Sequence, residues 1–384
     1  MIDIIKLLMN KAHTFIYFIA QRICALLPIN DRKVFIDNFN GKGFSGNSKY
    51  VALELLKRNS GYKIIWVVNN DVDLKNFPES IITVKSRSIR AAYEIETSRY
   101  WIDNVRKNVF YKRKKHIYIQ VWHGLLGIKL VEGQVSEKLS ESYCRIAKFD
   151  SQATDILVAP CQRYEHIMKK YFWISPEKVI CLGAPEFDAL FANDISKKKR
   201  DIRHSLGIKN KKILLYAPTF RNNKKHDYFS IDFSKVLSTL AQKFGGDWVI
   251  AIRMHPNIVA VNHRNIKCPF IDVTNYDDCQ ELIIASDALI TDYSSIVFNS
   301  AIIHIPSFIH ATDLKEYRDE RDFEIPFSDL PFPISQTDDE LLSNIVDYSN
   351  EKYNSKYDAF FSTIGVSFDN KASERVVDIM ESLD

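Results

Sequence analysis

Four short segments carry the side chains that could do chemistry, and each follows an apolar run rich in β-branched residues. The first is Gln120-Val121-Trp122-His123-Gly124, continuing through Leu125-Leu126-Gly127-Ile128-Lys129. His123 leaves its run at the C-terminal end, and Gly124 permits a sharp turn. An imidazole there can take a proton from an alcohol near neutral pH, a role contributing about 10²–10⁴-fold in rate. The competing reading is a hydrogen-bonded structural histidine. The second segment, Ile252-Arg253-Met254-His255-Pro256, places Arg and His on one loop, which suits an anionic group such as phosphate. Against that stands a surface turn fixed by Pro256. The third, Thr291-Asp292-Tyr293-Ser294-Ser295, runs into the helical stretch 296–303. A strand, a hydroxyl-rich turn and a helix present free N–H groups at the positive end of a helix dipole, a phosphate seat to which Ser294 and Ser295 add hydroxyls. Either serine serves equally as a plain helix N-cap. The fourth is Tyr216-Ala217-Pro218-Thr219-Phe220-Arg221, where Arg221 reaches a phosphate or acceptor anion, or is a surface arginine.

Ligands of open parallel sheets lie beyond the carboxyl ends of the strands, so these positions matter only if the runs are parallel strands. The pattern supports that. Apolar runs at 33–38, 63–68, 81–84, 116–121, 155–159 and 179–182 alternate with helical stretches such as 49–58. The polar stretch 192–212 interrupts the alternation and reads as a linker. A second series follows at 213–217, 248–252, 270–273, 288–291 and 305–309. The expected fold class is α/β, with two Rossmann-like domains facing each other across a cleft, at 29–195 and 196–384. An N-terminal helix at 1–28 precedes them.

Composition narrows the functions. The 384 residues include 52 Lys plus Arg against 48 Asp plus Glu, a net charge of +4, with 46% hydrophobic residues. A chain binding nucleic acid along its surface would be more basic, so no nucleic-acid partner is expected. The cysteines Cys24, Cys144, Cys161, Cys181, Cys268 and Cys279 fit neither a zinc spacing nor a disulfide framework, and reduced thiols follow. At the N-terminus, Ile5, Leu8, Ala12, Phe15, Ile19, Ile23 and Leu26 recur at helical spacing, with an apolar run far below the roughly 20 residues that span a bilayer. Such a helix lies in a membrane interface, with Lys6, Lys11 and Arg22 toward the headgroups, or packs on the next domain. The basic run Arg106-Lys107 and 111–116 reads as a solvated surface or as a face toward anionic lipid or a polyanionic acceptor. Two further patterns carry less. Gly41-Lys42-Gly43-Phe44-Ser45-Gly46 fits a dinucleotide fingerprint, but Asn38-Phe39-Asn40 sets the first glycine apart from the apolar part of the strand, so it reads as a flexible wall of the cleft. Asp71-Val72-Asp73 reads as a surface turn.

Taken together, the segments resemble the CDP-glycerol glycerophosphotransferase family, which includes teichoic acid polymerases and related capsule enzymes. The resemblance covers about 33–335 and is carried by Phe39-Asn40-Gly41-Lys42-Gly43 with Asn47 and Lys49-Tyr50, Trp122-His123-Gly124, Gly183-Ala184-Pro185, 216–221, Arg253-Met254-His255-Pro256 and 291–295. It implies a GT-B-like architecture and metal-independent transfer of a polyol phosphate, glycerol phosphate first, from a CDP-activated donor to an acceptor hydroxyl, releasing CMP without a cofactor. It also implies a peripheral protein at the cytoplasmic face of the cell membrane, acting on a lipid-linked or polymeric acceptor. On this reading His123 and His255 are catalytic, with His123 the base. Arg253, Ser294, Ser295, Asp292, Thr291, Pro218, Thr219 and Arg221 hold the donor, and Gly43, Asn47, Gly124 and Lys129 lie on the acceptor side. The chain departs from the family at Asn299, at Tyr317-Arg318-Asp319-Glu320-Arg321 and at Leu330-Pro331-Phe332-Pro333, all on the donor side, so the polyol stays open between glycerol and ribitol. The rival functions are a GT-B transferase of a UDP- or GDP-sugar and a non-catalytic membrane-associated scaffold.

Overall fold

The computed structural model describes residues 2–108, 111–125, 127–221, 229–255, 266–320 and 322–383. Seven apolar runs form a parallel sheet in the first unit: β1 (Asn30–Ile36), β2 (Lys63–Val68), β3 (Ile82–Lys85), β4 (Ser98–Asp103), β5 (Ile117–Gln120), β6 (Ile156–Ala159) and β7 (Val179–Cys181). Their order is β3-β2-β1-β4-β5-β6-β7. Side chains alternate between faces with a period of two. Val34, Ile36, Ile64, Trp66 and Ile102 pack on one side, and Phe35, Ile65, Val67, Trp101 and Tyr118 on the other. Both faces are covered, as parallel sheets require.

The second unit repeats the plan with β8 (Lys212–Ala217), β9 (Trp248–Ile252), β10 (Phe270–Asp272), β11 (Ala288–Thr291), β12 (Ser307–His310) and β13 (Ile334–Ser335), in the order β10-β9-β8-β11-β12-β13. In each sheet the chain winds outward and then returns beside its first strand. The strand order therefore reverses between β1 and β4 in one sheet and between β8 and β11 in the other, the positions where doubly wound sheets open a crevice. Strands β4 and β13 escape the sequence reading. Only Thr97 separates β4 from the helix Ile89–Glu96, so no turn signal announces it.

The two units are not consecutive stretches of chain. One comprises Met1–His123, Glu132–Asp188 and Ser367–Asp384; the other comprises Gly124–Val131 and Ala189–Val366. A single boundary at 196 therefore does not describe the partition. The terminal helix Ala372–Ser382 buries Val376, Val377 and Met380 in the first core. Asp188 accepts hydrogen bonds from the Ala372 and Ser373 amides at its start, at 3.1 and 2.8 Å. The expected linker is also corrected: its centre is the helix Ile195–Ser205. Lys199 and Arg203, four residues apart, both pair with Asp287, and Ile202 is buried between them. The polarity there reflects ion pairing with the sheet's edge, not an absence of structure.

The N-terminal helix Ile2–Cys24 packs on the first unit by one side and leaves the other exposed, as its described side chains show. Phe15, Ile16, Ile19 and Ile23 are exposed, at 66%, 52%, 44% and 63%. The side facing the protein carries Tyr17, packed on the core around Phe35 and Trp101. The apolar stripe thus points away from the fold. Side chains before His13 lie outside the described ones.

The basic run is corrected as well. Arg106 is buried between Glu132 and Asp150, each 3.1 Å away. Lys107 is held between Asp103 at 2.7 Å and Asp37 at 3.2 Å. Lys112 pairs with Asp155, while Arg113 donates to the carbonyls of Ala25, Leu27 and Glu96. Of the lysines and arginines in the run, only Lys114 and Lys115 are exposed. These cations hold the first unit together.

Candidate active site

In the first unit, His123 stands just past the end of β5. Trp122 takes a left-handed backbone (φ 52°), which turns the chain out of the strand and costs on the order of 1–3 kcal/mol unless the surroundings impose it. The surroundings do. Asn47 donates from Nδ2 to the carbonyls of Val121 and Trp122, both at 3.0 Å, and accepts at Oδ1 from the Glu186 amide at 2.9 Å. Buried and engaged at both ends of its carboxamide, Asn47 positions the turn that carries His123.

The His123 ring stacks on Trp122 (4.7 Å between centroids, 26°) with Phe39 at 5.6 Å on another side. Arg106 extends the layer, its guanidinium 5.2 Å above the Trp122 ring. His123 Nδ1 lies 2.7 Å from the Asn104 carbonyl oxygen. A carbonyl only accepts, so Nδ1 carries the proton and Nε2 keeps its lone pair. Asn104 is itself fixed by its Nδ2, which donates to Asn38 Oδ1 at 2.7 Å. Burial pushes the His123 pKa below the ordinary histidine value, while the Asn104 carbonyl and Glu132 pull it up and Arg106 lowers it further. The result is a neutral imidazole with a defined tautomer, the form a general base needs.

The glycine-rich segment is not a loose wall. Asn38 Nδ2 donates to the carbonyls of Lys42 and Gly43 at 2.7 and 3.3 Å and to Ser45 Oγ at 3.1 Å. Gly41 has φ +84°, and a Cβ there would stand 2.9 Å from Asn69 Oδ1. Its glycines let the loop fold tightly on Asn38 and Asn69. Gly43 is buried within it. Asp73 accepts from the Lys75 amide at 3.1 Å, as a surface turn does.

In the second unit, β8, β9 and β11 are parallel neighbours with Tyr216 opposite Ile252 and Thr291 opposite Ala217. The segments 218–221, 253–255 and 292–295 therefore leave one edge of one sheet. Asp292 organises that edge: its Oδ1 accepts from the amide of Thr219 at 2.8 Å, from the Thr219 hydroxyl at 2.5 Å and from the Tyr293 amide at 2.6 Å. Its Oδ2 accepts from Arg221 at 2.8 Å.

Arg221 also forks onto Asp313 at 2.7 and 3.0 Å and donates to the Thr219 carbonyl at 2.7 Å. Its plane lies near Tyr293 and Tyr317, 4.7 and 4.8 Å from their centroids. Arg221, expected to grip phosphate, is thus a buried tie between two aspartates in this structure. Thr291 is likewise structural, its hydroxyl donating to the Ala217 carbonyl at 2.7 Å. Pro218 is buried beside Asp292 against a small cavity.

Ser294 and Ser295 are half-buried at the start of the helix Ile296–Ile302, and the Ile296 amide reaches Ser294 Oγ at 3.4 Å. Arg253, half-buried, donates through Nη1 to the carbonyls of Val273 and Tyr276. His255 is exposed, 5.8 Å from the Phe220 ring. Pro256 lies outside the described residues.

Gly124 and Lys129, expected on the acceptor side, belong to the second unit, and the boundary runs between His123 and Gly124. Leu130 donates to the Asp322 carbonyl and Glu324 to the Ile128 carbonyl, fastening this strap. Lys129 Nζ sits 4.9 Å from the Tyr317 centroid. Gly124 has φ +74°, a conformation that favours glycine, and a Cβ there would meet Ser295 Oγ at 3.4 Å, an ordinary contact. Sequence reasoning missed Asn104, Asp313 and the Arg106 cluster. Asn104 follows the unrecognised strand β4, and Asp313 follows β12, where the strand-end rule would have flagged it.

Residues 19–382 match the family model described as CDP-Glycerol:Poly(glycerophosphate) glycerophosphotransferase. The chain is 29% identical over 371 residues to a teichoic acid poly(glycerol phosphate) polymerase of Staphylococcus epidermidis, covering 92% of this chain and 51% of that protein. It is 28% identical over 376 residues to a teichoic acid glycerol-phosphate transferase of Staphylococcus aureus, covering 92% and 94%. Among solved structures, a variant of the wall teichoic acid polymerase TagF matches with a TM-score of 0.81 at 26% identity, over 96% of this chain and 92% of that one. The fold class is thus GT-B-like, built from two Rossmann-like units.

Proposed function

Because this chain belongs to the CDP-glycerol:poly(glycerophosphate) glycerophosphotransferase family, we propose that it moves glycerol phosphate from CDP-glycerol to a hydroxyl of a polymeric or lipid-linked acceptor in teichoic-acid-like polymer synthesis. The observation that carries the reading is His123, a half-buried neutral imidazole whose Nδ1 is held by the Asn104 carbonyl at 2.7 Å. Its Nε2 takes the proton of the acceptor hydroxyl as that oxygen attacks the phosphorus bearing the glycerol. The phosphoanhydride bond breaks and CMP leaves.

Charge develops on the phosphoryl oxygens and on the leaving phosphate. His255, Arg253 and the Ser294-Ser295 turn are the donor-side groups for it, since they leave the same sheet edge. One preorganised donor of this kind is worth roughly 3–4 kcal/mol. Asp292, Thr219 and Arg221 hold that edge rigid.

The test is an incubation of the purified chain with CDP-glycerol, CDP-ribitol, and UDP- or GDP-sugars, each with a poly(glycerol phosphate) acceptor. CMP release from CDP-glycerol supports the proposal, and release from CDP-ribitol alone moves it to ribitol. UDP or GDP release replaces it with sugar transfer, and no release from any donor leaves the non-catalytic scaffold.

The outward stripe of Phe15, Ile16, Ile19 and Ile23 supports peripheral attachment to the cytoplasmic face of the membrane. Among the described residues no helix is long and apolar enough to cross a membrane. The expected result is co-sedimentation with phosphatidylglycerol vesicles that drops at least about tenfold when Phe15 and Ile19 become serine, at roughly 1.5–3 kcal/mol per buried side chain. Equal sedimentation of the two proteins would remove the helix as the anchor.

A further inference from the structure

The first unit holds a cavity of about 530 Å³ that the steps above leave unused. It lies past the carboxyl ends of four strands: Asp37 follows β1, Asn69 follows β2, Arg87 follows β3 and Lys107 follows β4. The strand order reverses between β1 and β4, so this is the crevice where a doubly wound sheet takes its ligand. The N-terminal helix contributes Thr14, Tyr17 and Gln21, spaced three and four residues apart, from the side opposite its exposed apolar stripe. The volume falls in the range of small-molecule sites, about 300–1,000 Å³.

The lining names the chemistry. Five carboxamides, Gln21, Asn40, Asn69, Asn70 and Asn108, reach the cavity. Each offers both donors and an acceptor, the complement of a hydroxyl group, which is also both. At the floor, Lys107 is held between Asp37 and Asp103, and Glu96 lies 4.0 Å from Arg113. Arg22 and Arg87 are different. Both are exposed, both line the cavity, and neither makes an ion pair among the described residues. Arg22 lies 4.6 Å from the Tyr111 ring, also part of the lining. Guanidinium groups with open forks are suited to phosphate.

We infer that this cavity binds the terminal unit of a hydroxylated phosphodiester, a polyol phosphate or sugar phosphate, and so serves as the acceptor subsite. The carboxamides read the hydroxyls, and Arg22 and Arg87 hold the phosphate. The assignment as acceptor subsite rests on the transfer reading above; the binding itself does not.

Binding is followed by tryptophan fluorescence, because Trp101 lines the cavity. The full chain is titrated with soluble poly(glycerol phosphate) oligomers, with inorganic phosphate and with phosphatidylglycerol vesicles, and the Trp101→Phe protein identifies the signal. The variant is Arg22→Gln with Arg87→Gln, two exposed positions where substitution leaves folding intact. Saturable quenching by the oligomer is expected, weakened about 10- to 100-fold in the variant, as loss of charge-assisted bonds predicts. In turnover, the variant raises the KM for acceptor by a similar factor and leaves the KM for CDP-glycerol unchanged.

An unchanged acceptor KM with unchanged quenching would overturn the proposal. Equal quenching by inorganic phosphate refutes hydroxyl recognition, and quenching by vesicles but not by oligomer assigns the cavity to lipid and refutes the acceptor role. If the unsubstituted chain releases no CMP with any acceptor, the transfer reading and the acceptor role fall together. Oligomer quenching that weakens in the variant still upholds the binding site in that case, and its absence overturns it.

Discussion

Replacing His123 with glutamine is expected to lower kcat for CMP release by about 10²–10⁴-fold while the KM for CDP-glycerol stays within a few-fold. Glutamine fills similar space between Trp122 and Phe39 but cannot accept a proton. The effect should fall on kcat because the base acts in the transition state and contributes little to donor binding. The pH profile gives an independent check. Burial disfavours the imidazolium, so the acid limb of kcat/KM should have its midpoint below the ordinary histidine value of about 6.5.

The same shift carries a stability sign. A histidine whose pKa is lowered on folding contributes stability that is complete above the unfolded value and is lost as pH falls through the folded one. Activity and stability at this site should therefore both decline on the acid side and not above neutrality. A glutamine variant with turnover within a few-fold of the parent protein would exclude His123 as the base.

The second large effect is on stability. Changing Arg221 to methionine leaves Asp292 and Asp313 facing each other without their cation, in a site where the arginine side chain is only 4% exposed. Removing one partner of such a buried network costs about 3–5 kcal/mol. Guanidinium denaturation of the full chain should show that loss. Arg221→Lys should recover little, because an ammonium cannot fork onto Asp313 while also reaching Asp292 and the Thr219 carbonyl. If Arg221→Met unfolds at the parent denaturant concentration, the network is not what holds this edge. A further consequence is that donor affinity in the lysine variant drops without any change in the acid limb set by His123, which separates the two sites experimentally.

Much of this was legible beforehand. Three strands, Lys63–Val68, Trp248–Ile252 and Ala288–Thr291, have the limits their apolar runs indicate. Those runs read clearly because a strand buried on both faces needs an unbroken apolar stretch. The roles of charged side chains were the hardest to read. Arg106, Lys107, Lys199, Arg203 and Arg221 all look like solvent or ligand groups in one dimension, and each has a carboxylate partner far away in the chain, Asp37 in the case of Lys107. The Arg106 partners Glu132 and Asp150, for instance, stand 26 and 44 positions away. Composition cannot reveal such partners, since an isolated charge and a neutralised one have the same letter.

What the sequence alone determined is the class of fold, the family, and the loops that follow strand ends. These depend on local periodicity and on motif order, which survive without coordinates. Only tertiary structure decided which side chains on those loops remain available for chemistry. It gave His123 a fixed tautomer through Asn104, tied Asn47, Thr291 and Arg221 into the hydrogen-bonded frame, and opened a carboxamide-lined cavity beneath the first helix. The physical reason is that a polar group's function depends on whether its hydrogen bonds are already satisfied inside the fold, and that is settled by neighbours distant in sequence.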